Sequence, residues 1–119
     1  MSIASIAGEK RVFTLQEARD LVPLLRKVTA DAVGMVNSLL AKLECLSEDD
    51  TEFDELRGSI DATVRAWAEK LQKLGCEVKG LWLVDFDNGQ GYYCWSFPED
   101  ELDHFHSYEE GATERKRIC

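Results

Sequence analysis

The chain has 119 residues, enough for one compact domain and too few for two. Hydrophobic residues make up 45% and charged residues 31%, which excludes collagen-like, low-complexity and wholly disordered chains. Acidic residues outnumber basic ones 23 to 14, for a formal charge of -9, so phosphate backbones and anionic membranes are repelled and neither nucleic acid nor membrane is an expected partner.

Residues 1–12 read as a flexible leader with no continuous apolar h-region, hence no secretory signal. No run reaches the ~18 apolar residues that span a bilayer, and the cytoplasm is the expected location. Thr14 reads as a helix N-cap, with Glu17 completing a capping box and Phe13 in the place of an apolar staple. Pro23 lacks an amide hydrogen and clashes with the carbonyl four residues back. A kink is expected there, or a short first helix whose successor carries Pro23 in its first turn.

Leu21, Val28 and Met35 then interleave with Leu25, Ala32, Leu39 and Leu46 to draw an apolar helical stripe. Gly34 inside it is either a weak point worth ~1 kcal/mol against Ala or a point of close helix approach. Ser47 to Glu55 is rich in carboxylates and reads as a solvated link plus an acidic first turn, where negative charge suits the helix dipole. The link lacks the alternating Asp/Asn ligands and central Gly of an EF-hand. Phe53, Leu56, Ile60, Val64, Trp67, Leu71 and Leu74 share one face of the next helix, and Gly75 is its left-handed cap. Residues 13–75 thus form an antiparallel αα-hairpin.

From Leu81 the period shortens to two. Leu81 to Phe86 and Tyr92 to Phe97 flank Asp87-Asn88-Gly89, and Asn-Gly predicts a tight two-residue hairpin turn. That turn would set Trp82 against Trp95, Leu83 against Cys94, Val84 against Tyr93 and Asp85 against Tyr92. One hairpin face, Trp82, Val84, Phe86, Tyr93, Trp95 and Phe97, is apolar and should lie on the helices. The other carries Leu83, Asp85, Tyr92, Cys94 and Ser96. Leu102 to Ser107 is a candidate third strand. With Phe105 turned to the core, it adds His104 and His106 to the mixed face. Residues 76–110 make up this β region, and 111–119 a polar, basic tail.

Four cysteines, Cys45, Cys76, Cys94 and Cys119, show no CxxC spacing and read as reduced, buried or incidental thiols, with Cys119 the most open to oxidation. Imidazole, carboxylate and thiolate on the mixed face are ordinary zinc ligands, and a divalent metal is the one cofactor they suggest. The same groups can serve acid/base chemistry. A solvated sheet edge or a subunit contact is the simpler account of them. There is no HExxH and no phosphate-cradling glycine loop.

Several words of the sequence, in one order, resemble an uncharacterised prokaryotic family known as domain of unknown function 2203. They are Phe13-Thr14-Leu15-Gln16-Glu17-Ala18, Leu21-Val22-Pro23-Leu24-Leu25, Leu74-Gly75-Cys76-Glu77-Val78-Lys79, Leu83-Val84-Asp85-Phe86 and Cys94-Trp95, followed by the spacing of Glu99, Glu101, Phe105, His106, Gly111 and Arg115. The likeness departs at Pro98, Phe105 and Glu114, and it includes His106 but not His104. It singles out Asp85, Cys94, Glu99, His106 and Arg115 and implies no established activity. A buried polar network would also explain those positions.

The expected fold is α+β, a long αα-hairpin followed by a small antiparallel sheet of two or three strands packed on it. A sheet that small cannot cover both helices, which leaves Leu21, Leu25, Val28, Ala32 and Met35 to be hidden by a second copy. The leading functional expectation is therefore a self-associating helical-hairpin interaction module, with a dimer favoured. The rival is a metal-binding or acid/base enzyme using His106, Asp85, Glu99 and Cys94, with Arg115 holding an anion. A basic protein partner on the acidic link is a third expectation.

Overall fold

The computed structural model describes residues 11–118; the readings made on residues 1–10 and on Cys119 lie outside the described residues. Helix α1 spans Leu15–Glu44 and α2 spans Thr51–Lys73. The expected capping box is present. Thr14 Oγ1 accepts from the Glu17 amide at 3.1 Å, and Glu17 Oε1 accepts from the Thr14 amide at 2.9 Å. Phe13 is buried edge-on to Phe86, with ring centroids 5.2 Å apart.

The short first helix offered as one outcome at Pro23 is not formed: Pro23 lies inside α1. The ring lies on the exposed side of the helix, where solvent is at hand for the carbonyl it deprives of an amide. The helices are tied by a buried hydrogen bond in which Trp67 Nε1 donates to Thr29 Oγ1 at 2.8 Å. Gly75 closes α2 at φ +93°, the left-handed cap read from the sequence.

Among the described residues the sheet has five antiparallel strands in chain order rather than two or three: β1 Glu77–Gly80, β2 Leu83–Asp87, β3 Tyr92–Ser96, β4 His104–His106 and β5 Lys116–Arg117. Strand β1 is short and contains Lys and Gly, both poor strand formers. Strand β5 is a charged edge of the segment read as tail. Trp82, expected in a strand, sits in the β1–β2 turn at φ +61° and packs on Trp67, centroids 4.9 Å apart.

The β2–β3 register also differs from expectation. Val84 pairs with Trp95, Asp85 with Cys94 and Asp87 with Tyr92. Asn88 Oδ1 accepts from the Gln90 and Gly91 amides, both at 2.8 Å, so a longer Asx-stabilised loop replaces the tight turn. The register moves by an even number of residues, and each side chain stays on the face read from the sequence.

The apolar face of the sheet meets the helices in one core that includes Phe13, Leu25, Trp67, Leu71, Val84, Phe86, Trp95 and Leu102. Phe105 is not part of it: it pairs with Tyr93 but is exposed, because β4 lies beyond the cover of the helices. The stripe expected to need a second copy is partly hidden within the chain. Leu25 and Ala32 are buried, Leu21 and Val28 half-buried, and Met35 is exposed.

Gly34 makes no close approach, since a Cβ built there meets nothing within 4 Å. Gly34→Ala is therefore expected to stabilise the protein by ~0.5–1 kcal/mol, read as a higher urea midpoint with an unchanged slope.

Candidate metal centre

The strand pairings lay two rows of polar side chains across the face turned away from the helices. One row runs Glu77, Asp85, Cys94, His104 and Arg117; the other runs Asp87, Tyr92 and His106. Gly91 lets the end of β4 close onto the β2–β3 loop, because a Cβ there would stand 2.7 Å from the His106 carbonyl oxygen. From that position His106 reaches across β3 to β2.

Asp85, Cys94 and His106 converge, each offering a ligand atom within 4.8 Å of the other two. They are 1%, 0% and 3% exposed. His106 Nδ1 lies 2.9 Å from the Ser107 carbonyl oxygen, which can only accept, so Nδ1 carries a hydrogen. In neutral imidazole Nε2 is then a bare lone pair, and it faces Asp85 Oδ2 at 2.9 Å. The distance suits a hydrogen bond but the direction does not: neither Nε2 nor Asp85 Oδ1 has a hydrogen-bond partner among the described residues. With both groups unprotonated, two buried acceptors face one place, and a cation can relieve them as a proton would. A backbone carbonyl on the other ring nitrogen is the usual support of a metal-bound histidine.

The separations fit an ion of the zinc class. Nitrogen and oxygen donors each ~2.0–2.1 Å from an ion subtend about 90° when 2.9 Å apart. Tetrahedral sulfur–nitrogen and sulfur–oxygen separations are roughly 3.5 Å, so the cluster needs at most about 1.3 Å of contraction from its 4.8 Å bound. Burial, and next the Asp85 charge, push the Cys94 thiol up to about 12. Burial likewise raises Asp85, against the opposing influence of the neighbouring His106 and Cys94. A thiol held protonated and out of solvent is no nucleophile, whereas binding a soft divalent ion would deprotonate it.

Glu99 and Arg115, expected as ligand and anion holder, pair with each other instead. Arg115 donates to Glu99 Oε1 at 3.0 Å and to Oε2 at 2.6 Å, and its Nη1 stands 3.9 Å from Cys94 Sγ. Burial opposes ionisation of Glu99, but the Arg115 and Ser96 hydrogen bonds outweigh it and hold this carboxyl below its ordinary range. The pair ties the C-terminal segment to the loop after β3, and the guanidinium is placed to steady a thiolate. Tyr108 adds a second tie, its hydroxyl donating to Asp87 at 2.6 Å. His104 shares the face but points its Nδ1 toward Glu99 at 3.7 Å.

Sequence reasoning missed Glu77 and Lys79, because β1 was not read as a strand. Tyr92 Oη donates to Glu77 Oε1 at 3.1 Å, and Lys79 lies over the Tyr92 ring at 4.5 Å. A cleft of about 400 Å³ opens elsewhere, between Arg19, Val22 and Pro23 of α1 and Asp100–Asp103. Another, of about 390 Å³, lies between the helices beside Met35 and Trp67. Neither is lined by Asp85, Cys94 or His106.

A family model described as an uncharacterized conserved protein (DUF2203) matches residues 11–118. The chain belongs to this family. The match spans both helices and all five strands, so the centre on the outer sheet face lies wholly within the family domain. No curated protein and no solved structure matches the chain. Among the described residues no helix is long and apolar enough to cross a membrane.

Burial orders the thiols. In a Cys119→Ser background, Cys45, which is exposed, is expected to react readily with an aromatic disulfide reagent. Cys76 and Cys94, both pushed up to about 12 by burial, should react only on unfolding. Equal rates for all three would contradict the buried centre.

Proposed function

We propose that this member of DUF2203 is a metal-binding protein that holds one divalent ion of the zinc class between Asp85, Cys94 and His106. The observation that carries the reading is the Asp85–His106 contact. His106 Nε2 lies 2.9 Å from Asp85 Oδ2, and Nε2 and Asp85 Oδ1 are both buried without a hydrogen-bond partner among the described residues, beside a buried thiol. One sulfur, one nitrogen and one oxygen donor favour zinc, cobalt or ferrous iron over magnesium or calcium, which take oxygen ligands. Near-complete burial leaves no reacting face for a substrate, so the ion's role is to close the sheet face rather than to catalyse.

Zinc added to metal-free full-length protein is expected to bind one-to-one. At free zinc 100-fold above Kd it should stabilise the fold by ~2.7 kcal/mol, seen as a raised Tm. Cys94→Ser and His106→Ala should abolish the shift. An unchanged Tm with zinc, cobalt and ferrous iron would sink the proposal, as would undiminished binding in both variants.

A second reading, self-association through the helices, draws on a different observation. Leu24, Met35 and Leu40 of α1 are exposed at 44%, 54% and 40%, and Phe53, Leu56 and Ile60 of α2 are only half-buried. A second hairpin laid against this surface would complete a four-helix bundle. Sedimentation equilibrium is expected to show a dimer at micromolar concentration that Met35→Glu weakens; a monomer at those concentrations rejects this reading.

A further inference from the structure

A buried zinc-class centre of structural type takes four protein donors, and Asp85, Cys94 and His106 supply three. The neighbouring groups differ in their freedom to provide the fourth. Both oxygens of Glu99 are engaged, by Arg115 at 3.0 and 2.6 Å and by the Ser96 amide at 2.8 Å. His104, opposite Cys94, also has a buried Nδ1 without a hydrogen-bond partner among the described residues, but that nitrogen faces Glu99 Oε2 at 3.7 Å, and the Arg115 guanidinium stands 3.9 Å from Cys94 Sγ on the same side.

Glu77 lies outside the trio whose ligand atoms meet within 4.8 Å, but it is directly opposite Asp85 in the β1–β2 ladder, so a turn of its side chain brings a carboxylate to the cluster. Its Oε1 is fixed by Lys79 Nζ at 3.1 Å and by Tyr92 Oη at 3.1 Å. Its Oε2 is buried with no partner among the described residues, and so is Oδ1 of Asp85. Directly opposed residues of an antiparallel pair have Cβ atoms about 4.5–5.5 Å apart, and like charges there repel. Two cross-strand carboxylates, each with one orphaned oxygen, are the arrangement a shared cation stabilises.

We infer that Glu77 is the fourth ligand, so that the centre is Glu77, Asp85, Cys94 and His106, with Lys79 and Tyr92 holding Oε1 and leaving Oε2 for the ion. The inference rests on the metal-binding reading above. It makes the site span three strands plus a reach from a fourth, and it gives the edge strand β1 a role beyond sheet pairing.

The test uses the full-length protein titrated with cobalt(II), whose thiolate charge-transfer band reports Cys94 and whose visible absorption strengthens in tetrahedral coordination. Wild type should show both signals. Glu77→Gln should keep the charge-transfer band, lose the intense visible absorption and bind on the order of 100-fold more weakly. Glu77→His, which offers a good ligand with no negative charge, should restore the tetrahedral spectrum and most of the affinity. Wild-type spectrum and affinity in Glu77→Gln would overturn the inference and leave the three-residue centre standing. Glu77→His behaving like Glu77→Gln would overturn it also, by showing that only the carboxylate's charge matters. Absence of the charge-transfer band in wild type would bring down the metal-binding reading itself.

Discussion

The contact between Asp85 and His106 is the constraint around which the sheet is arranged. Burying a carboxylate and an imidazole in a domain this small costs several kcal/mol unless each polar atom is compensated. Here the compensation is partial among the described residues, since Nδ1 of His106 has its carbonyl while Nε2 and Asp85 Oδ1 have no partner there. Reaching that geometry requires β4 to return beside β3 and Gly91 to admit its backbone. It also requires the Ser107–Arg115 segment to be tied down through Tyr108 and Arg115. Each of these features is hard to explain if the outer face were merely solvated.

The sheet divides the molecule chemically. On one side Val84, Phe86 and Trp95 join Leu25, Leu71 and Trp67 of the helices in a core that supplies the hydrophobic driving force. On the other side the same strands present Asp85, Cys94 and His106, and alternation along each strand makes the two chemistries inseparable. Stability therefore comes from the helix-facing side, and the other side is free to carry polar groups. The same division limits the chemistry. A thiol raised to about 12 and sealed from water suits an ion that displaces its proton and does not suit attack on a substrate.

Much of this was legible in the sequence where the signal was local or periodic. The capping box at Thr14 and Glu17, the left-handed Gly75 and the two amphipathic helices rest on contacts within a few residues, and the structure contains all of them. The two faces of the β2–β3 hairpin were also legible, since an even register shift leaves them unchanged. The shift itself was not legible, because Asn88 stabilises its loop through side-chain bonds that a two-residue turn signal does not encode. Of the two outcomes read from Pro23, the separate short helix is absent, and the ring sits on the exposed side of a continuous α1.

Of the candidate centre, the residue types and their common face were readable, and membership was not. His106, Asp85 and Cys94 meet because the β2–β3–β4 register brings them together, whereas Glu99, placed with them by its residue type, is claimed by Arg115. Glu77 went unseen because a four-residue strand with lysine and glycine carries no periodic signature. The sequence alone determined the helical hairpin, the apolar and polar faces of the strands and the acidic surface, because those follow from near neighbours and composition. Only the tertiary structure decided which polar side chains share a buried site, because that depends on strand register and on the return of the C-terminal segment, both set by contacts between residues far apart in the chain.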